Sequence, residues 1–449
     1  MEHQVSESLT ISVAEWLAGN CGSPLEKATN AELSIAIGNH HVTEVEDFES
    51  KTVRRTVRAS AGLAAIWLVA NWWRLRWEPE PSIQTREDLN WAMSHKMPAI
   101  GGGFVWPDLA FTGSDGSEIA AVCKRPNSPV SEELSPIRYL NSFSAFIDVT
   151  AFERSISTFV ETVLARLHSC GIRSSELHDL WDDLRYEKGD AKASSHRRLE
   201  AHLGLDPDED DPLIGSLAKW SKTYGKHALE EISASTDKAH IKAILEEAKA
   251  AAQGVRSFGE MPGRNESSAL MNLPTDTAPW QQGQAAAYAL REKWQLGSDP
   301  VPDETLADRL NISLSKLVDV KEKAPFSFAL RGGAGLGFVS NRPHSHGRRF
   351  DTARLIGDYV GFDLDDSLRP ATGAVTNRQK FQRAFAAEFL CPSEMIRERF
   401  SGKLEPGRIG DTVSELSAEY KVSEQLIRHH MENRNVLPYG IAAGSLVFA

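Results

Sequence analysis

The sequence predicts a predominantly helical α+β protein built from more than one domain. Three observations carry that reading. At 449 residues the chain is two to three times as long as one hydrophobic core usually serves. Residues 151–172, 175–188, 194–204, 212–234 and 236–252 each place apolar residues at helical spacing. Ahead of them, Phe104 to Lys124 reads as strand, turn and strand, with Asp115-Gly116 as the turn of a β-hairpin.

Composition narrows the class. Hydrophobic residues make up 41% and charged residues 25%, which excludes a disordered chain, a collagen-like fibre and a coiled-coil rod. Fifty Lys and Arg face 62 Asp and Glu, a net charge of −12. From Trp280 onward the counts are 22 and 21; the preceding 279 residues hold 28 and 41. A chain acidic in its first part and neutral in its last reads as modular. It also lacks the general basic field on which DNA and anionic membranes act, so nucleic acid is not the favoured partner and no membrane partner is expected. The four cysteines stand singly, without a CxxC pair, which argues against a disulfide framework or a cysteine-based zinc site. The longest apolar run, Ala61 to Trp73, has 13 residues and is too short to span a bilayer. With an N-terminus unlike a signal peptide, these features lead to the expectation of a cytoplasmic protein.

In chain order, residues 1–150 form an acidic, Trp-rich α+β region. Within it, Val53 to Trp73 reads as a core helix that is nearly apolar all round. Six of the eleven tryptophans lie between positions 67 and 106 and are expected to anchor a core rather than stack on bases. Residues 151–252 form a helical region, broken at Asp206-Pro207 and the acidic run that follows. Residues 253–279 lose periodicity and gain Gly, Pro, Ser and Thr, the composition of a linker. Residues 280–449 form a further domain, with a helix from Gly283 to Trp294 and another from Glu304 to Leu310. A short helix-plus-strand stretch is expected at Ile312–Val320, then strands at Phe326–Leu330 and Leu336–Ser340. Between those strands, Gly332-Gly333-Ala334-Gly335 is expected to be a β-turn. It lacks the Lys-Ser/Thr and the strand-to-helix context of a phosphate loop.

The later segments carry a resemblance. GQAAAYALREKW at 283–294 is followed by PVPDETLADRLNI, a strand ending in Ser340-Asn341, RRFDTARLIGDY, and QKFQRAFAAEFLCPSEMI. In order and spacing this resembles the ImmA/IrrE family of zinc metallopeptidases over roughly residues 280–437, most of all in FAAEFLCP at Phe385–Pro392. The closing helices, LSAEYKVSEQLIRHHMENRNVL, are also similar to the family's ending. The resemblance implies a zincin-like fold. An HExxH helix binds Zn²⁺ because two His, four apart, share a face, and the Glu beside the first activates the bound water.

This chain departs from that pattern at every catalytic position. Setting Phe350 on the family's Phe places Arg354 and Asp358 at the two His positions and Leu355 at the Glu. The third ligand, six residues before the FAA element, becomes Gln379. The resemblance therefore implies a degenerate zincin-like domain with no catalytic residues, no cofactor and no zinc. Such a pseudo-metallopeptidase would bind or regulate a protein partner, in stress response, mobile-element control or phage defence. Arg354 and Asp358, at i and i+4, are expected to form an ion pair. Arg348, Arg349, Arg354, Arg378, Lys380 and Arg383 are candidates for a basic pocket at the old cleft, suited to an acidic peptide or a phosphate. Arg383 lies one helical turn beyond Gln379 and shares its face.

Three alternatives stay open. A replacement metal site from His344, His346 and Asp358 would make the chain an active hydrolase, although the His pair reads equally well as an exposed Pro- and Gly-flanked turn. The helix pair Val413–Tyr420 and Glu424–Asn433 has helix-turn-helix spacing, with packing the stronger expectation than DNA reading. Pro107-Asp108, the hairpin and Val122-Cys123-Lys124 are similar in outline to a PD-(D/E)xK nuclease. There Val122 stands where the second metal-binding acid belongs, and Glu118 is the nearest acid on the strand.

Overall fold

The computed structural model describes residues 7–19, 22–79, 89–113, 118–126, 135–255, 257–260, 277–318, 323–332, 335–362, 364–400 and 409–433. The chain divides into two compact units, Glu2–Ile214 and Gly215–Ala449. The division comes well before the expected linker at 253–279. Among the described residues no helix is long and apolar enough to cross a membrane.

The N-terminal unit opens with β1 (Leu9–Trp16), α1 (Pro24–Thr29), β2 (Asn30–Ile37) and β3 (His40–His41), followed by β4 (Val45–Asp47), β5 (Thr52–Arg54) and β6 (Val57–Ser60). Antiparallel β1-β2-β3, with β6 on β2, makes one sheet. Here the expected helix from Val53 gives way to two strands. Val53, Thr56 and Val57 are β-branched and favour the pleated backbone. Helix α2 (Ala61–Ala70) begins only where Ser60 caps it, its side chain accepting from the Leu63 N–H at 3.2 Å. Helices α3 (Trp72–Trp77) and α4 (Leu89–His95) follow. The hairpin forms as β7 (Asp108–Gly113) and β8 (Glu118–Lys124), its turn lying outside the described residues. Strand β9 (Ile137–Tyr139) joins β4 and β5, and β10 (Phe143–Asp148) joins β8.

Helix α5 (Val149–Ser169) is capped by Asp148 and buries Phe152, Ile156, Phe159, Val160, Val163 and Leu167, a stripe at helical spacing. Helices α6 (Glu176–Gly189) and α7 (Ala191–His202) close the unit. Trp67, Trp72, Trp73, Trp91 and Trp106 are all buried, as core anchors. One charged cluster is buried among them. Arg74 grips Glu78 with Nε at 2.6 Å and Nη2 at 3.1 Å, and His95 Nε2 lies 2.9 Å from the same carboxylate. Nδ1 of His95 donates to the Phe111 carbonyl at 2.6 Å, and Trp91 stacks on the ring at 4.5 Å. Burial would raise the Glu78 pKa, but the hydrogen bonds from His95 and Arg74 outweigh it and hold the carboxyl below its usual range.

Helix α8 (Asp211–Tyr224) contains the division, and α9 (Lys226–Ser233) follows it. The sequence reads 212–234 as one helix. It is two because Gly225, at φ 119°, takes a backbone conformation closed to other residues. After α10 (Ile241–Gln253) comes β11 (Gly259–Glu260), paired with a strand of the C-terminal sheet. The expected linker thus starts as part of the fold, while its residues 261–276 lie outside the described ones. Helices α11 (Pro279–Lys293), α12 (Asp303–Leu310) and α13 (Leu314–Val318) lead to the hairpin β12 (Ser327–Gly332) and β13 (Gly335–Val339). Residues 319–322 and 333–334, the latter within the expected β-turn, are outside the described residues. Helix α14 (Ser345–Gly361), β14 (Leu368–Ala371) and α15 (Asn377–Leu390) form the heart of this unit, whose antiparallel sheet runs β11-β13-β12-β14. Gly357 lets α14 approach α15, since a Cβ there would sit 2.5 Å from the Phe385 ring. Helices α16 (Ser393–Arg399), α17 (Ile409–Tyr420) and α18 (Glu424–Asn433) complete it.

The buried cluster of the N-terminal unit gives a stability test. Glu78→Leu takes from buried Arg74 and His95 the carboxylate they share and leaves Arg74 only the exposed Asp206 carboxylate at 2.8 Å, a change that costs about 3 kcal/mol. Arg58→Ala, at an exposed ion pair with Glu32, should stay within about ±0.5 kcal/mol. Urea unfolding followed by tryptophan fluorescence compares the two.

Candidate functional site

Helix α14 is buried on nearly every side, yet Arg348, Arg349, Asp351, Arg354 and Asp358 are among its buried residues. Charges in such a place must find partners. Asp358 is fully buried, and three neighbours serve it. Arg378 donates from Nε to Oδ1 at 2.6 Å and from Nη2 to Oδ2 at 2.7 Å, Arg369 to Oδ2 at 3.0 Å, and Gln382 to Oδ1 at 2.9 Å. Burial pushes its pKa up, but the Arg378 and Arg369 guanidinium groups prevail and bring it down to about 2. Arg378 is held charged by the same carboxylate.

Arg354 has a different set. Its Nη2 donates to Gln379 Oε1 at 2.5 Å and to the Thr372 carbonyl at 2.7 Å, and Nη1 reaches Asp351 at 3.3 Å. Burial lowers its pKa, and Asp351 opposes the shift. Gln379 spends its whole amide here. Oε1 also accepts from the Thr372 N–H at 3.0 Å, and Nε2 donates to the Pro370 carbonyl at 3.2 Å. Leu355, on the same helix, is packed in the hydrophobic core of the unit. Nearby, Glu231 of α9 accepts from Thr376 Oγ1 at 2.7 Å, and its burial raises its pKa despite Arg378.

The expected Arg354–Asp358 ion pair is replaced by these contacts. Arg before acid is the poorer orientation of an i, i+4 pair, and Arg378 offers Asp358 a two-pronged contact that Arg354 does not. The candidate metal site also comes apart. His344 is the exposed N-cap residue of α14, as a solvent-facing turn requires, whereas His346 is half-buried in the helix's first turn. Both line a cavity, whereas Asp358 is sealed in the interior with both oxygens occupied. Burial first, then Arg349, depresses the pKa of His346.

The six candidate pocket cations separate as well. Arg348 donates to the carbonyls of Leu317, Arg342 and Pro343 at 2.8–3.1 Å. Arg349 pairs with Asp303, Arg354 with Asp351 and Gln379, and Arg378 with Asp358 and, at 3.5 Å, Asp366. Those four are buried and committed. Lys380 and Arg383 line a cavity of about 1010 Å³. Its walls come from α11, the start of α14, α15 and α18. Trp280, Arg342, His429 and His430 belong to it as well, and no motif or local pattern in the sequence marks them. Helix α18 thus lends one face to the cavity, in keeping with a packing role for the helix pair.

Two other clusters are chemically closed. Asp108 lies opposite Lys124 in the β7–β8 register, and Glu118 lies opposite Asp148 at the far end of β8. Six residues of strand is about 20 Å, too far for two carboxylates to share a metal. Among the described residues, one group of three potential metal ligands lies close together, His196, Glu200 and Asp208. Arg197 bridges its two carboxylates at 2.8–3.0 Å, so a guanidinium already supplies the positive charge.

No family model matches the chain, and neither a curated protein nor a solved structure does.

Asp358 makes the interior sensitive to acid. Its lowered pKa contributes stability that is full above about pH 4 and is lost as pH falls through about 2. Asp358→Asn should cost about 3–5 kcal/mol near pH 7, because Arg369 and Arg378 lose their counter-charge. Denaturant titrations of the parent and variant at a series of pH values should show that gap narrowing below pH 4.

Proposed function

We propose that residues 280–437 are an ImmA/IrrE-like module that has lost its peptidase chemistry and acts as a protein-binding or regulatory component. Stress response, mobile-element control and phage defence are the settings the family resemblance suggests. One observation carries the proposal. The residues that the resemblance assigns to the zinc ligands, Arg354, Asp358 and Gln379, come from two helices that pack together, α14 and α15. Arg354 and Gln379 touch directly at 2.5 Å, so positions 25 residues apart in sequence meet where two ligands of one metal would. Their side chains then exclude the metal. Arg354 carries a positive charge, Gln379 has its oxygen filled by two donors, and Asp358 is neutralised by Arg369 and Arg378. Leu355, at the general-base position, has no proton to take or give.

Loss of the metal leaves the adjoining cavity in place. Its walls combine apolar side chains such as Trp280, Phe350 and Leu426 with a few polar groups, the make-up of a ligand site. A peptidase-like groove without the water-activating centre would hold a segment of a partner and release it uncut.

The purified full chain should carry no stoichiometric zinc after dialysis, as measured by elemental analysis. One firmly held zinc per chain, lost when His344 and His346 are changed to Ala, would instead support an active hydrolase with a non-standard site.

A further inference from the structure

We propose that the cavity between α11, α14, α15 and α18 is a carboxylate-binding site, with Arg383 as its anchor and an acidic group of a partner peptide as its ligand. This deepens the binding reading above and rests on it for taking the cavity as the place where a partner docks.

The argument is one of charge balance. Around the cavity, Arg342 is paired with Asp351 at 2.8 Å, Arg349 with Asp303, Arg354 with Asp351, and Arg369 and Arg378 with Asp358. Arg383 differs. Its Nη1 donates to the Ala374 carbonyl at 2.9 Å, and among the described residues no carboxylate lies within ion-pair distance of it. A guanidinium has five N–H donors, so this one bond leaves most of its fork unused on a cavity wall. The group is also half-buried and has the Arg354 cation nearby. Burial and then Arg354 push its pKa down to about 10, with Glu231 opposing. A sequestered cation beside another cation is costly in the empty protein, and an entering anion relieves that cost.

The surroundings select the kind of anion. Lys380, three residues earlier on α15, adds a second positive side chain on the same wall. Asp351 stands on the opposite side and holds Arg342, so the cavity presents one open guanidinium rather than a cluster. A dianionic phosphate calls for several open Arg side chains. A single carboxylate matches one planar fork in two-pronged fashion. Trp280, Phe350, Ala384 and Leu426 give apolar walls, which suit apolar groups on either side of the acid.

The test titrates the full chain with small peptides, followed by saturation-transfer NMR of the ligand. N-acetyl-Glu-Leu-amide represents an internal acidic side chain and N-acetylleucine a chain terminus. N-acetyl-Gln-Leu-amide and N-acetylleucinamide are their neutral counterparts, and inorganic phosphate is the competing anion. At least one acid should bind tenfold or more tighter than its amide, and which acid does so identifies the source. Arg383→Gln should abolish the difference, while Arg383→Lys, which keeps the charge without the fork, should retain part of it. Because Arg383 has no counter-ion to lose, the Gln variant should melt at or above the parent temperature. Equal binding of acids and amides, binding by neither, or discrimination that survives Arg383→Gln would overturn the proposal. Displacement of the acids by phosphate at a tenfold lower concentration would overturn it in favour of a phosphate site. A lower melting temperature for both Arg383 variants with unchanged ligand preference would make the residue structural. None of these outcomes depends on zinc content, so the carboxylate site and the inert-peptidase reading fail separately.

Discussion

The interior of the C-terminal unit depends on one carboxylate. Asp358 sits without solvent contact between two guanidinium groups, Arg369 from strand β14 and Arg378 from the first turn of α15. It therefore ties together the helix that carries it, the edge of the sheet and the neighbouring helix. Helix α14 is buried almost all round but is far from apolar, so hydrophobic packing alone would not hold it in place. Each of its charges needs a dedicated partner, and those partners set the orientation of α14 against α15. Replacing such a network by well-packed apolar residues can be neutral, whereas removing one member is costly. The network thus fixes the geometry more than it adds net stability.

Arg354 lies at the centre of the functional reading. It fills space between two helices and carries positive charge where the family resemblance would have a metal. A guanidinium spreads its donors over Gln379, Thr372 and Asp351, and so satisfies carbonyl and carboxylate acceptors that a cation would otherwise attract. In the proposed reading the residue types fit one another: the Arg stands at the position of a ligand His, and an amide that accepts from it stands at that of the acidic ligand. Arg383, near the same Arg, has no acid within ion-pair distance among the described residues, and that imbalance faces the cavity.

Much of the helical architecture was legible because its periodic stripes are long. Helix α5 and the segments around α6, α7 and α10 to α12 follow their apolar spacing to within a few residues, and the hairpin follows its alternation. The short strands β1 to β6 were not legible, since strands of two to eight residues carry few periods and are set by pairing partners far along the chain. Propensity did mark the stretch at 53–57, where β-branched residues stand before an Ala-rich helix. The site was half legible. The family resemblance grouped Arg354, Asp358 and Gln379, but it did not reveal how the charges pair. Arg369 gave no signal, because a charged residue in a four-residue strand reads as exposed until the sheet is assembled around it. Trp280, His429 and His430 reach the cavity from helices remote in sequence, and nothing local to them points there.

The most direct measurement is a crystal structure of the full chain soaked in zinc, with anomalous scattering recorded at the zinc edge. A cation-centred interior predicts no anomalous peak between α14 and α15, with the Arg354 guanidinium within hydrogen-bonding distance of Gln379 Oε1. A peak bounded by Asp358 and Gln379, with Arg354 swung out of the interior, would contradict it.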